Sequence, residues 1–321
     1  MATVAWTPTA RPETLRLRAD LLARIRRFFA DRNFLEVETP LLGAAAALDP
    51  HLSSFVVGHG GDADRELYLQ TSPEFAMKRL LAAGSGPVYQ ICKAFREAES
   101  GRWHNPEFTL LEWYRPGFDY HRLMDEVDVL VCGILGTPAA VRITYDQVFQ
   151  ELAGLSPHDA HMGMLRRAAR EQGLAEDVGA ETDRDGLLDF LFTHTVQRGL
   201  VDRGAVFVYD FPTTQAALAR VRAGNPPVAE RFELLVQGVE LANGYHELTD
   251  PAEQRRRFEC DQARRRERAL PAYPLDERLL AAIAHGMPSC AGVALGVDRL
   301  VMLAAGAGSI DEVIAFPISR A

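Results

Sequence analysis

FREAESGRWHNPEFTLLEWYR, residues 95–115, decides how this chain is read. Its first half gathers Arg96, Arg102 and His104. Its second half alternates, with Phe108, Leu110, Glu112 and Tyr114 falling on one face of a strand and Thr109, Leu111 and Trp113 on the other. A plain core strand rarely carries a glutamate among its apolar residues. The pattern therefore predicts the floor of a ligand site.

Outward from this block, the elements predict an α+β fold on a mostly antiparallel sheet, because strands and helices alternate without βαβ regularity. Residues 1–12 read as an N-terminal arm whose Trp6 docks on the body, and 13–321 as one catalytic-type domain. Within it, 13–31 is an amphipathic helix with Leu15, Leu21, Leu22, Ile25, Phe28 and Phe29 as its apolar stripe and Arg18, Arg24, Arg26, Arg27 and Asp31 toward water. Ser72-Pro73-Glu74 opens a helix, with Ser72 as N-cap and Pro73 at the first position. Residues 146–200 are mainly helical. Asn243-Gly244 reads as a hairpin turn, with a further interruption at Gln237-Gly238. A helix from Asp250-Pro251 to about Ala269 is rich in arginine, either a solvated face or a docking face.

Composition narrows the function. The 321 residues carry 44 acidic and 35 basic side chains, a net charge of -9, which argues against a nonspecific nucleic-acid binder. Cys92, Cys132, Cys260 and Cys290 lack metal-ligand or disulfide-framework spacing. No apolar run reaches a membrane-spanning length and no signal pattern opens the chain, so the expected compartment is the cytoplasm. There is no GxxxxGK[ST] loop, no GxGxxG after a strand and no GxSxG.

Four polar clusters remain. Arg96, Arg102 and His104 suit phosphate groups, and Phe108 can stack a base. Glu233, Glu240, Asn243 and Glu247 place three carboxylates and an amide within fifteen residues, enough for a divalent cation or a cationic substrate. Arg299 follows the glycine-flanked strand Gly292 to Gly296. Glu74 stands in a first helical turn, where the helix dipole already favours an acid.

These clusters resemble the signatures of class II aminoacyl-tRNA synthetases, nearest the lysine-specific ones. RRFFADRNFLEVETP (26–40) is similar to motif 1, AFREAESGRWHNPEFTLLEWYR (94–115) to motif 2 and GVALGVDRLVML (292–303) to motif 3. ELANGYHELTD (240–250) resembles the lysine-subgroup signature. EWYRPGFDY, ELANGYHELTD and DEVIAFPISRA look more like the short paralogues that attach (R)-β-lysine to a lysine side chain of elongation factor P. The chain starts almost at motif 1, so an anticodon-binding domain and stable tRNA binding are not expected. Ala294 stands where lysyl-tRNA synthetases usually have glycine, and one methyl group there can favour a β-amino acid by shape.

The resemblance implies ATP and Mg2+ as cofactors and a homodimer through motif 1. It implies that Arg96 holds the α-phosphate and the substrate carboxylate, His104 the outer phosphates, Phe108 the adenine ring and Arg299 the γ-phosphate. Glu233 and Glu240 would hold magnesium. Ser72, Glu74, Glu112, Tyr114, Asn243, Glu247 and Ala294 would line the lysine pocket. Motif 2 normally reads Phe-Arg-x-Glu, whereas Ala98 stands here in place of the glutamate. Glu97 or Glu99 can substitute, Glu99 if a one-residue bulge re-aims it. Two other readings stay open: a lysine-activating enzyme with a tRNA or small-molecule acceptor, and a non-catalytic synthetase-like regulatory protein.

Overall fold

The computed structural model describes residues 6–58, 66–97, 99–175 and 182–321. The chain divides into two compact units, Met1–Gly117 with Thr249–Ala321, and Phe118–Leu248.

In the first unit, Pro12 supplies the fixed φ of a first helical position and Glu13 complements the helix dipole. The helix Pro12–Ala30 buries Leu21, Ile25 and Phe29, one every fourth residue. Phe29 stacks on Tyr89 at 4.4 Å and meets Trp113 edge-on at 5.3 Å. This anchors the helix to a sheet running Leu35–Glu36, Val88–Phe95, Glu107–Pro116, Cys290–Gly296. The first pair is parallel and the other two are antiparallel. A second antiparallel sheet joins Leu42–Gly43, Glu66–Leu69 and Val56–Gly58.

Several expectations change here. Trp6 is 80% exposed and does not dock. Arg18 is not on the wet side: its side chain is only 17% exposed and ion-pairs with Asp298. The helix Glu74–Ala82 starts one residue late, with Pro73 as the cap, yet the Ser72 hydroxyl still accepts the Glu74 N–H at 3.1 Å. The arginine-rich helix Pro251–Glu267 is largely internally satisfied. Arg255 pairs with Glu277, and Arg256 and Arg257 pair with Glu253. Arg265 is 1% exposed, donates to the carbonyls of Pro271, Asp49 and Leu52, and lies over the Tyr273 ring. It pins a loop and offers nothing to a partner.

In the second unit the strand order is Val239–His246, Val228–Val236, Ala205–Pro212, Val141–Thr144, with Val221–Arg222 alongside Val228–Val236. The last pair of the main path is parallel. Against this sheet pack Tyr145–Ala153, Met162–Glu171 and Arg184–Leu191, the last continuing as π-helical turns over Phe192–Val196. Their core joins Tyr145, Phe149, Leu188, Leu191, Val208 and Phe211. Thr144 and Gln147 form a capping box that starts the first of these helices.

The hairpin turn is at Gln237-Gly238, not at Asn243-Gly244. Gln237 and Gly238 have φ of 52° and 74°, the positive pair a two-residue type I′ turn requires. Asn243 and Gly244 lie inside the strand Val239–His246, opposite Glu233 and Phe232. An added Cβ at Gly238 would meet the Gln197 carbonyl oxygen at 2.7 Å and a Val201 methyl at 2.8 Å. Gly238→Ala is therefore expected to destabilise the protein by about 1–3 kcal/mol. Urea unfolding measures it; an unchanged midpoint contradicts the steric account.

Candidate functional site

In the first unit, strand pairing sets three residues in one row. Glu112 lies opposite Gln90 on one neighbour and Ala294 on the other. Cross-strand partners share a face, so Ala294 sits directly beside the Glu112 carboxylate. Glu112 is 2% exposed. Burying a carboxylate costs several kcal/mol unless hydrogen bonds replace its water. Ser72 Oγ donates to its Oε2 at 2.6 Å and Tyr114 OH to its Oε1 at 2.7 Å. Both of these donors are hydroxyls. Cys92 senses the setting: burial first, and Glu112 second, push its thiol up to about 12. Lys78, a buried side chain, contacts Glu74 Oε1 at 2.5 Å.

Further along the same strand, the Arg96 guanidinium carbon lies 5.0 Å from the Phe108 ring centre, a cation–π distance. Arg96 Nη1 donates to Glu99 Oε1 at 3.1 Å, while its Nε is buried without a hydrogen-bond partner. Gly101 and His104 close a tight bridge. It presents His104 Nε2 to Arg299 Nη2 at 2.6 Å, where the neutral ring nitrogen accepts. Arg299 Nε also reaches the Trp103 carbonyl at 3.4 Å. Arg96, Glu99, His104 and Arg299 thus form a chain of contacts, with Glu99 Oε2 3.8 Å from His104. Two guanidinium groups, one held by Glu99 and the other by the His104 ring, supply donors suited to a polyanion. Ala98 lies outside the described residues.

The second unit carries the other cluster. Glu233 lies directly opposite Asn243, and Glu240 opposite Leu235. The register shifts by one between Leu234 and Leu235. That shift turns Glu240 onto the face of Glu233 and Asn243, which simple alternation would not do. By alternation from Asn243, Glu247 shares it too. Asn243 Oδ1 is buried without a hydrogen-bond partner. Burial pushes the Glu233 carboxyl up to about 7; Glu240 adds to the rise, and Arg231 opposes it. Arg231 Nη2 meets Glu233 Oε1 at 2.5 Å and its Nη1 donates to the Gln215 carbonyl at 2.8 Å. Two mutually repelling carboxylates on one face fit a divalent cation. No group of three or more His, Cys, Asp or Glu is arranged for a metal among the described residues. Magnesium often takes only one or two protein carboxylates beside phosphate oxygens.

Several residues here escaped the sequence reading. Arg231 is one, although its spacing two before Glu233 on a strand signals a shared face. Lys78 is another, at the i+4 position from Glu74.

The family model described as tRNA synthetases class II (D, K and N) matches residues 4–320. The chain belongs to this class II synthetase family. Three curated relatives each bear the name elongation factor P–(R)-β-lysine ligase. The protein of Vibrio atlanticus (strain LGP32) is 50% identical over 318 residues, 98% of both chains. That of Vibrio cholerae serotype O1 is 51% identical over 98% of both. That of Vibrio vulnificus (strain YJ016) is 52% identical over 97% of this chain and 98% of its own. Among the described residues no helix is long and apolar enough to cross a membrane.

The raised Glu233 carboxyl has a consequence for stability. In the folded protein it binds a proton up to about pH 7, whereas in the unfolded chain it releases it near 4.5. Its stabilising contribution is therefore full below pH 4.5 and lost as pH rises through 7. In EDTA, wild type is expected to lose stability relative to Glu233→Gln across this window. Denaturant midpoints from pH 4.5 to 8 check it; parallel curves contradict it.

Proposed function

We propose that this protein activates (R)-β-lysine with ATP as an aminoacyl adenylate and transfers it to a lysine side chain of elongation factor P. The observation that carries the reading is the Glu107–Pro116 strand. It holds Phe108 beneath Arg96 at one end and Glu112 with Tyr114, beside Ala294, toward the other. Four residues of strand separate Phe108 from Glu112 by roughly 13 Å, a span suited to adenine at one end and an ammonium group at the other. The full-length relatives named for this reaction support the same substrates.

In the first step a carboxylate oxygen of β-lysine attacks the α-phosphorus and pyrophosphate leaves. Arg96 orients the carboxylate and α-phosphate, His104 and Arg299 hold the outer phosphates, and Phe108 stacks the adenine. Glu112, with Ser72 and Tyr114 fixing its oxygens, binds a substrate ammonium, and Glu74, Asn243 and Glu247 complete recognition of the amines. Catalysis is positioning and charge stabilisation, without a covalent enzyme intermediate. In the second step the acceptor amine attacks the acyl carbon; AMP leaves and the amine loses a proton. Glu233 and Glu240 are the residues that would hold Mg2+, which supplies charge neutralisation to phosphate oxygens when bound. Glu99 takes the place of the motif 2 glutamate replaced by Ala98.

The protein works as a homodimer through motif 1, where Leu35 is an exposed apolar side chain, followed just beyond it by exposed Leu41 and Leu42. We place it in the cytoplasm as a single catalytic domain preceded by a short arm. Its net charge of -9 disfavours stable tRNA binding.

The test incubates the protein with ATP, magnesium and either (R)-β-lysine or L-lysine, with elongation factor P or tRNA. The expected result is one β-lysyl mass increment on elongation factor P. Labelled tRNA with unmodified factor contradicts the acceptor, and no activated amino acid at all contradicts the enzyme. Glu112→Gln is expected to lower kcat/KM for β-lysine about 10- to 100-fold, the weight of a charged hydrogen bond, while ATP affinity is retained.

A further inference from the structure

Three segments distant in sequence meet at one carboxylate. Asp298, 3% exposed, is the second residue of the helix Val297–Ala305. Its Oδ1 takes Arg18 Nη1 at 2.5 Å, and its Oδ2 takes the Thr109 backbone N–H at 2.7 Å. Arg18 Nη2 closes the triangle on Thr109 Oγ1 at 2.8 Å. The helix Pro12–Ala30, the Glu107–Pro116 strand and the helix Val297–Ala305 are thereby joined through three short bonds.

The neighbours of this triangle matter. Asp298 immediately precedes Arg299, and Thr109 immediately follows Phe108. Successive strand residues face opposite sides, so holding Thr109 by its N–H and its hydroxyl fixes the side on which Phe108 stands. Holding Asp298 in the first helical turn likewise fixes the departure of Arg299, which already bridges to His104. A buried ion pair is weak evidence for stability, because apolar residues of similar size often serve as well. Its directional bonds are what apolar packing cannot supply. A guanidinium presents two parallel donors in a rigid plane, and both terminal nitrogens are used here.

We infer that Arg18 is a positioning residue for the nucleoside triphosphate, acting through Asp298 and Thr109 to orient Arg299 and Phe108. It touches no substrate itself. The inference rests on the proposed ATP site, and the experiment separates the two. KM values for ATP and for β-lysine are measured by pyrophosphate exchange in wild type, Arg18→Lys, Thr109→Val and Asp298→Asn, with melting temperatures alongside. Calorimetric ATP titration of the same four proteins reads nucleotide binding without turnover. Arg18→Lys keeps the charge but not the paired donors, and Thr109→Val keeps the shape and the backbone N–H.

The expected result is a rise of about tenfold or more in the ATP KM and Kd for Arg18→Lys and Asp298→Asn. Thr109→Val gives a smaller rise, and the β-lysine KM stays within twofold throughout. Unchanged ATP affinity in a folded Arg18→Lys overturns the inference, as do KM values for both substrates rising alike with a fall in melting temperature. If Asp298→Asn does not fold, Arg18→Lys and Thr109→Val decide. If wild type binds ATP but catalyses no exchange, the proposed reaction fails while the calorimetry still judges Arg18.

Discussion

The buried carboxylate of Asp298 constrains the first unit more than any other single group. A carboxylate at 3% exposure must find donors, and its donors come from a helix near the start of the chain and from a strand a third of the way along. Satisfying it joins the helix Pro12–Ala30 to the strand and the helix that carry the stretches similar to motifs 2 and 3. The helix Pro12–Ala30 is held on its other side by Phe29 against Tyr89 and Trp113. Apolar packing sets the distance between helix and sheet, and the Asp298 bonds set their register. With the register fixed, the alternation of residues 108–114 puts Phe108, Glu112 and Tyr114 on one face and leaves Trp113 for the core.

Three acids of the candidate site meet different partners. Glu112 receives two hydroxyl donors. Glu74 is held by the Lys78 ammonium. Glu233 faces Arg231 on one side and the field of Glu240 on the other, so burial wins and its carboxyl rises to about 7. The mutually repelling pair suits a divalent metal, whose binding offsets both the repulsion and the cost of burial. The guanidinium groups of Arg96 and Arg299 provide the opposite field, suited to phosphates.

Much of this was legible in the sequence. The period-two pattern of 108–114 announced both the strand and its mixed face. The amphipathic period of 13–31 announced the helix; of its six apolar-stripe residues Leu21, Ile25 and Phe29 are buried, and Leu15, Leu22 and Phe28 are half-buried. Local pattern misled where long-range contacts decide. Arg18 sits on the polar stripe of its helix, yet a carboxylate 280 residues away draws it inward. Arg265 lies in a run of charge, yet three carbonyls and an aromatic ring bury it. Asn243-Gly244 has the better turn composition, but Gln237-Gly238 already closes the hairpin, and the pairing of Asn243 with Glu233 needs continuous strand. The register shift that turns Glu240 toward Glu233 leaves no mark in composition at all.

The central claim is that one strand face reads adenine and an amine of β-lysine together. Isotope exchange between ATP and pyrophosphate, with the amino acid as the only variable and no acceptor present, tests it most directly. The account predicts exchange that requires a lysine isomer, is stronger with (R)-β-lysine than with L-lysine and is abolished by Arg96→Ala. Exchange that ignores the amino acid, or no exchange with any lysine isomer by a protein that binds ATP, would contradict it.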